Sequence, residues 1–420
     1  MRSTDRAARL AVALAMAIGA AACGVAPGPT TIVPRATPSP TRDATGSFVP
    51  TPVPTPTPPP AGLADWQQVP AQDSLRGAEF NSVTWVGDRF LGLGCVANQE
   101  GCIQPAIWES IDGLEWRTAG PVFLPPDASS GTVLAAASTR IGTIAAGSVR
   151  QDDKIQASIW LRGAEGWVQV TPQSASDTTV SALFATPDAR VIAVGSGAFT
   201  HFSGFRAWWS SDGTTWAAAP SVADQGGGYP TDLLPVGTSL LAWGHSCGDV
   251  CPVLPTAWWQ SPDGTAWQPV GPPRGLEDAN VTAVGRTDGG FIAFGTTGSG
   301  DQPVEPAAWT ADETAAVWQA VEPPAQPDAT TISDHIPIGH GSVVAGTGPP
   351  GPGRDQPTGL VWLRGLGESA WRPPATIPDV GVLALIQHPQ QLNRVIVLGQ
   401  TFDGLQGRLV IWTGTVEWAP

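Results

Sequence analysis

The chain has 420 residues, with 50 glycines, 43 prolines and 19 tryptophans against a single tyrosine, and a formal net charge of −15. A hydrophobic share of 42% is too high for a disordered chain, and the glycine and proline load argues against long helices. The acidity argues against a nucleic-acid binder, because phosphate recognition needs a cationic face. What remains is an all-β body with many turns, long enough to bury a large core.

The first 22 residues read as an export signal. Arg2, Arg6 and Arg9 form a basic start, and Leu10 to Ala22 is a small apolar run too short for a comfortable membrane span. The run ends Gly19-Ala20-Ala21-Ala22-Cys23-Gly24, which resembles the lipobox of bacterial lipoproteins, with Ala20 where that family usually has leucine. The resemblance implies lipidation at Cys23 and a membrane partner at the extracytoplasmic face of a bacterial cell. Plain secretion, with cleavage after an Ala-x-Ala, is the alternative. Residues 23–61 then form a linker. Twelve prolines lie between Val25 and Pro60, so the segment cannot bury a core and is expected to be disordered and extended. At about 3.1 Å per residue it reaches roughly 110 Å, enough to lift a domain off an envelope.

From residue 62 to 420 the chain is periodic. Trp108, Trp160, Trp208, Trp259, Trp309, Trp362 and Trp412 recur at intervals of 48 to 53 residues, and each is followed within nine residues by a second tryptophan, from Trp116 to Trp418. Residues 279–323 show the internal grammar of one unit. Val281–Val284 is a short strand, Asp288-Gly289-Gly290 a turn, and Phe291–Gly295 a second strand. A loop leads to a third strand at Ala307–Thr310, and a hairpin returns through Val317–Val321. Four short antiparallel strands per unit, seven times over, predict a seven-bladed β-propeller. A β-sandwich would not need seven copies of one phrase. Asp65-Trp66-Gln67 copies the fourth-strand phrase ahead of the first unit, so the N-terminal strand is expected to complete the last blade and leave no open edge.

The third turn carries Ser110-Ile111-Asp112-Gly113, Ser211-Asp212-Gly213 and Ser261-Pro262-Asp263-Gly264. Read as three-residue hairpin loops with glycine in the left-handed position, they make Trp108 and Trp116 opposed cross-strand partners, and likewise Trp208 with Trp216 and Trp259 with Trp267. Such aromatic pairs contribute about 0.2–1 kcal/mol each. The carboxylates of Asp112, Asp212 and Asp263 are expected to accept turn amides. The phrase resembles the Asp-box (BNR repeat) of sialidase-like propellers, one residue shorter than the usual box, with Asp312 a degenerate copy. In that family the boxes are structural and occur in enzymes and non-enzymes alike, so the resemblance implies turn roles for Asp112, Gly113, Asp212, Gly213, Asp263 and Gly264.

Function is then sought in loops. The second-to-third loops and inter-blade connections share one face and vary most. Two of them hold cysteine pairs in equivalent places, which favours disulfides Cys95–Cys102 and Cys247–Cys251. A metal at His245, Cys247 and Cys251 lacks a fourth ligand. The loop Phe199–Arg206, with Phe199, His201, Phe202, Phe205 and Arg206, together with Tyr229 on the next connection, is a candidate sugar-stacking or protein-contact patch. The alternative is that these rings cover the blade ends as satellite core. Sialidases of the resembling class are six-bladed and use an arginine triad, a tyrosine nucleophile with a glutamate partner, and an aspartate. Here there are seven units and the tyrosine lies mid-chain. No catalytic residue, cofactor or metal is expected. The reading is a monomeric, non-enzymatic binding or scaffolding propeller that recognises a glycan or envelope protein through its loop-rich face. The alternatives are a sialidase-like glycoside hydrolase or an assembly factor for a membrane complex.

Overall fold

The structure, a computed structural model, describes residues 62–417 apart from 99–100, 153, 171, 173–174, 198–203, 221–227, 247–255, 299–304, 327–329, 339–340, 366–367 and 404–405. Cys23, Phe199, His201, Phe202, Cys247 and Cys251 lie outside the described residues, as do the signal and linker segments.

Seven four-stranded antiparallel sheets follow one another, so the chain is a seven-bladed β-propeller. Blade 1 consists of Ala78–Val86, Arg89–Asn98, Gly101–Ser110 and Arg117–Thr118. Blades 2 to 6 repeat the order, their inner strands beginning at Ala128, Thr178, Gly228, Ala279 and Thr331. Blade 7 takes Gly381–Gln387, Arg394–Asp403 and Gln406–Val416 from the C-terminal end, and Leu63–Gln68 from the N-terminal end as its outermost strand. The expected closure is therefore present. Leu63 pairs with Val416 and Gln68 with Trp412.

Second strands are the most apolar because both their faces are covered. In blade 7, Val395 to Leu398 are all fully buried, as are Phe291 to Phe294 in blade 5. Continuous apolar runs of this length mark strands buried on both sides. The core is not one body but seven clusters, each shared by two successive blades. In blades 1 to 6 both tryptophans of a unit enter the cluster with the preceding blade. Trp160 and Trp167 pack on blade 1, Trp208 and Trp216 on blade 2, and Trp362 and Trp371 on blade 5. Each fully buried large side chain stabilises by about 1.5–3 kcal/mol, so the tryptophan repeat is the repeat of the interface between blades.

Every inner strand carries a bulge at the same place, from Phe80/Ser82 in blade 1 to Val382/Ala384 in blade 7. The bulge frees backbone groups that neighbouring blades then satisfy. Ser82 Oγ donates to the Leu134 carbonyl (2.6 Å) and Ser181 Oγ to the Pro230 carbonyl (2.6 Å), which joins blade 1 to 2 and blade 3 to 4 around the axis.

Candidate functional site

The third turns are built by side chains. In blade 1 the Ser110 hydroxyl accepts the Gly113 N–H (2.8 Å), and Asp112 Oδ1 accepts the N–H groups of Leu114 (2.9 Å) and Glu115 (3.0 Å). Blade 3 repeats this with Ser210, Gly213 and Asp212, which takes the amides of Thr214 (2.8 Å) and Thr215 (2.6 Å). Blade 4 repeats it with Ser261, Gly264 and Asp263. The tryptophan closing each turn donates its indole N–H to the glycine carbonyl, Trp116 to Gly113 (2.9 Å), Trp216 to Gly213 (3.1 Å) and Trp267 to Gly264 (3.0 Å). Blade 5 performs the same with Asp312 and, in the glycine position, Ala315 at φ 48°, whose carbonyl receives Trp318 (3.0 Å). The carboxylates are thus spent on turn amides. Those of Thr215 and Thr214 hold Asp212 well below the usual carboxylate range. At Asp112 burial works the other way, but the amides of Glu115 and Leu114 and the Ser110 hydroxyl outweigh it.

The opposed tryptophan pairs expected from the turn length do not form. Trp108 faces Thr118, Trp208 faces Ala218 and Trp259 faces Pro269. The turn wraps further than a three-residue hairpin because the indole itself closes it, so the chain re-enters the sheet only after the second tryptophan. The pair meets through the inter-blade core instead.

The remaining expected site residues divide. Cys95 and Cys102 form the expected disulfide across the second and third strands of blade 1, with Cα atoms 5.5 Å apart. Phe205 is not a loop residue. It opens the third strand of blade 3, is 3% exposed, and packs on Trp259 and Trp267 of blade 4 at ring distances of 4.8 and 5.2 Å. Alternation along that strand turns it inward, where burial of a phenyl ring outweighs any surface role. Arg206 follows it in the strand, its guanidinium donating to the Phe205 carbonyl (3.0 Å). Tyr229 lies within the inner strand of blade 4, not on the connection before it, and pairs with His245 across the sheet at a ring distance of 5.5 Å. Burial raises its phenol and lowers the His245 imidazole.

Two groupings were not apparent in the sequence. The first lies on the inner strands, just past the bulge, where blades 4 and 6 carry Asp232 and Asp334 and blades 2, 3, 5 and 7 carry alanine. Asp232 Oδ1 accepts the Leu233 N–H (2.8 Å); Asp334 accepts its neighbour His335 N–H (2.7 Å) and Leu385 N–H of blade 7 (2.9 Å). Both carboxyls are pushed up to about 6 by desolvation, and Asp334 also by the charge of Asp232. Asp232 is exposed and Asp334 half-buried, so solvent screens both groups and tempers the shift.

The second grouping is at the cleft between blades 1 and 2. Glu109, buried, receives Arg89 (3.0 Å), Arg117 (3.0 Å) and, across the interface, Arg162 (3.0 Å). Burial would raise this carboxyl, but the hydrogen bonds of Arg89 and Arg162 outweigh it and hold it low. A shallow pocket of about 200 Å³ opens beside Arg89, Thr143 and Arg162. Aligning the seven blades by their third-strand tryptophan would have flagged Glu109, because the same position holds Leu161, Trp209, Gln260, Thr310, Leu363 or Thr413 elsewhere.

Five of the eight exposed large apolar side chains among the described residues lie away from the loop-rich face, the other three being Ile103, Phe123 and Val168. Trp85 (46% exposed), Ile111 (60%), Ile141, Val317 and Leu392 (64%) all lie at first-to-second or third-to-fourth turns, which share the opposite face. Four of the five come from blades 7, 1 and 2, which are neighbours in the ring.

No family model matches the chain, and no curated protein matches it. Among solved structures it is similar to polysaccharide lyase Uly1 at 9% identity over 82% of this chain and 91% of that one, TM-score 0.48. A protein of unknown function from Dyadobacter fermentans matches at 10% identity over 84% and 99%, TM-score 0.45. A subtype N11 neuraminidase-like protein of A/flat-faced bat/Peru matches at 11% identity over 86% and 96%, TM-score 0.38. These are likenesses of fold.

Proposed function

We propose that the protein is a non-enzymatic binding or scaffolding propeller, held at the outer face of a bacterial membrane through Cys23, that recognises a glycan or an envelope protein. The observation that carries the reading is the arc of exposed Leu392, Trp85, Ile111 and Ile141 over blades 7, 1 and 2. Apolar side chains held out by a rigid rim are what a partner surface or sugar face packs against. The face that carries them is the tight-turn face, and the turn carboxylates beside them support that use, being consumed in holding the turns. In-cell cross-linking of the full chain tests this. We expect partners captured by the native protein to be lost on Ile111→Glu with Trp85→Ala, while Cys23→Ala moves the protein out of the membrane fraction. Unchanged capture by the double variant would sink the role given to the arc.

A glycoside hydrolase is the second reading, favoured by Asp232 and Asp334. Two carboxyls facing one space with raised proton affinity are the raw material of acid–base cleavage of a glycosidic bond. Turnover of aryl glycosides that disappears in both Asp232→Asn and Asp334→Asn would replace the binding reading with this one. A Tyr229→Phe variant, by contrast, is expected to leave any such turnover intact.

A further inference from the structure

The internal repeat places an arginine in the cleft between blades 5 and 6 and omits its counter-ion. In blade 2 the third strand ends at Arg162, which lies over the Trp167 ring (5.7 Å) and reaches across to Glu109 of blade 1. In blade 6 the third strand brings Arg364 to the same place, over the Trp371 ring (4.5 Å). The position of Glu109 is occupied in blade 5 by Thr310. Both follow the third-strand tryptophan, and both point the way of an apolar residue two places earlier that lines the cleft, Ile107 in one case and Ala308 in the other. Among the described residues, Arg364 has no carboxylate or carbonyl partner. Glu368, the nearest acid along the chain, is taken by Arg372 and by the Gly365 N–H (2.8 Å).

A buried group lies at the same interface as the half-buried Arg364. His335 is 6% exposed and neither ring nitrogen has a hydrogen-bond partner; its ring lies 5.9 Å from Phe294 and against Gly285 of blade 5. Burial first, and nearby Arg364 second, pull its imidazole down to about 4. Burial also lowers Arg364 itself. A desolvated guanidinium and a neutral imidazole without partners are costly unless an anion and an acceptor or donor complete them.

We infer that the cleft between blades 5 and 6 binds an external carboxylate on Arg364, in the place where Glu109 supplies an internal one between blades 1 and 2. The planar fork of the guanidinium suits a carboxylate bidentately, and its stacking on Trp371 fixes the plane. That the carboxylate is carried by a sugar, as in a uronate, rests on the glycan reading above; that it is a carboxylate rests on the cleft alone.

Ligand-observed NMR titration of the full-length protein with D-glucuronate, acetate and glucose separates these. Saturable binding of glucuronate in the millimolar range, with none of glucose, is expected in the native protein. Thr310→Glu should supply the missing carboxylate internally and weaken glucuronate at least tenfold while raising the melting temperature. Arg364→Gln should abolish binding, with near-ultraviolet circular dichroism confirming that the tryptophan core is intact. Acetate binding as tightly as glucuronate supports the carboxylate site and overturns the sugar. No saturation by either acid, or full-strength binding to Thr310→Glu, overturns the site itself.

Discussion

Blades 1, 3 and 4 share a seven-residue turn in which three side chains replace the backbone ladder. Serine receives the glycine N–H, aspartate receives two amides, and tryptophan gives its N–H back to the glycine carbonyl. The glycine is required for two separate reasons at Gly113. Its φ is +78°, and a Cβ would lie 2.6 Å from Ile386 Cδ1 of blade 7. Gly113→Ala is therefore expected to cost about 2–4 kcal/mol, from left-handed strain plus overpacking of the interface. Gly289→Ala is the control, since nothing lies within 4 Å of its Cβ position, and it should move stability by less than about 0.5 kcal/mol. Equal losses in urea melts of the two would refute this account of the turn. The amide-accepting role of Asp112, Asp212 and Asp263 was legible in the sequence, because aspartate followed by glycine has few other local uses. The register was not, because nothing in the spacing shows that the second indole belongs to the turn and not to the strand.

At the scale of the element, the inner strand with its fixed bulge decides what lines the axis. Asp232 is the test of that environment. Its folded pKa of about 6 lies above the ordinary carboxylate value, so below about pH 4 it is protonated in both states and has no effect. As pH rises toward 6 the unfolded chain loses the proton first, and the folded protein is penalised by an amount that stays constant above. Asp232→Asn should thus stabilise at pH 7, by about 1 kcal/mol once screening by solvent is allowed for, and do nothing at pH 3.5. A gain of equal size at both pH values would show that packing, and not charge, is responsible. Asp112 has the opposite sign, since its depressed pKa contributes stability that is lost as pH falls below the ordinary carboxylate range. Neither Asp232 nor Asp334 was legible as a site residue. What distinguishes them is a proteinaceous ring made by strands about fifty residues apart, and single-chain patterns carry no such information. Phe205 failed for a related reason: in a phrase crowded with phenylalanine, the residue where the strand begins decides which ring turns inward.

At the scale of the molecule, each core cluster belongs to two blades, so no blade is stable apart from its neighbours and the last interface must be closed by the first strand. Deleting residues 63–68 removes the partner of Trp412–Val416 and uncovers the cluster against which Trp66 and Trp412 pack. The melting temperature is expected to fall by at least 10 °C, roughly the effect of several kilocalories in a domain of this size. An unchanged melt would mean the ring closes without its clasp. The number of blades and the clasp itself were legible, because the tryptophan that seals each interface recurs with each blade and its stray copy at Trp66 stands at the opposite end of the chain. The Glu109 cluster and the Thr310–Arg364 cleft were not, since each pairs residues from different repeats. Only the order of the blades in space says which repeats meet.

The clasp has one more consequence. Leu63 lies beside Val416, and the Glu417 N–H donates to the Gly62 carbonyl at 2.8 Å, so the start and finish of the described chain are neighbours within one sheet. The ring therefore has no privileged first blade. A short peptide joining the two ends would make the backbone continuous, and the chain could be cut afresh at an open turn such as Gly237, which has nothing within 4 Å of its Cβ position. Such a circularly permuted protein would keep all seven interfaces while moving the chain ends from blade 7 to blade 4.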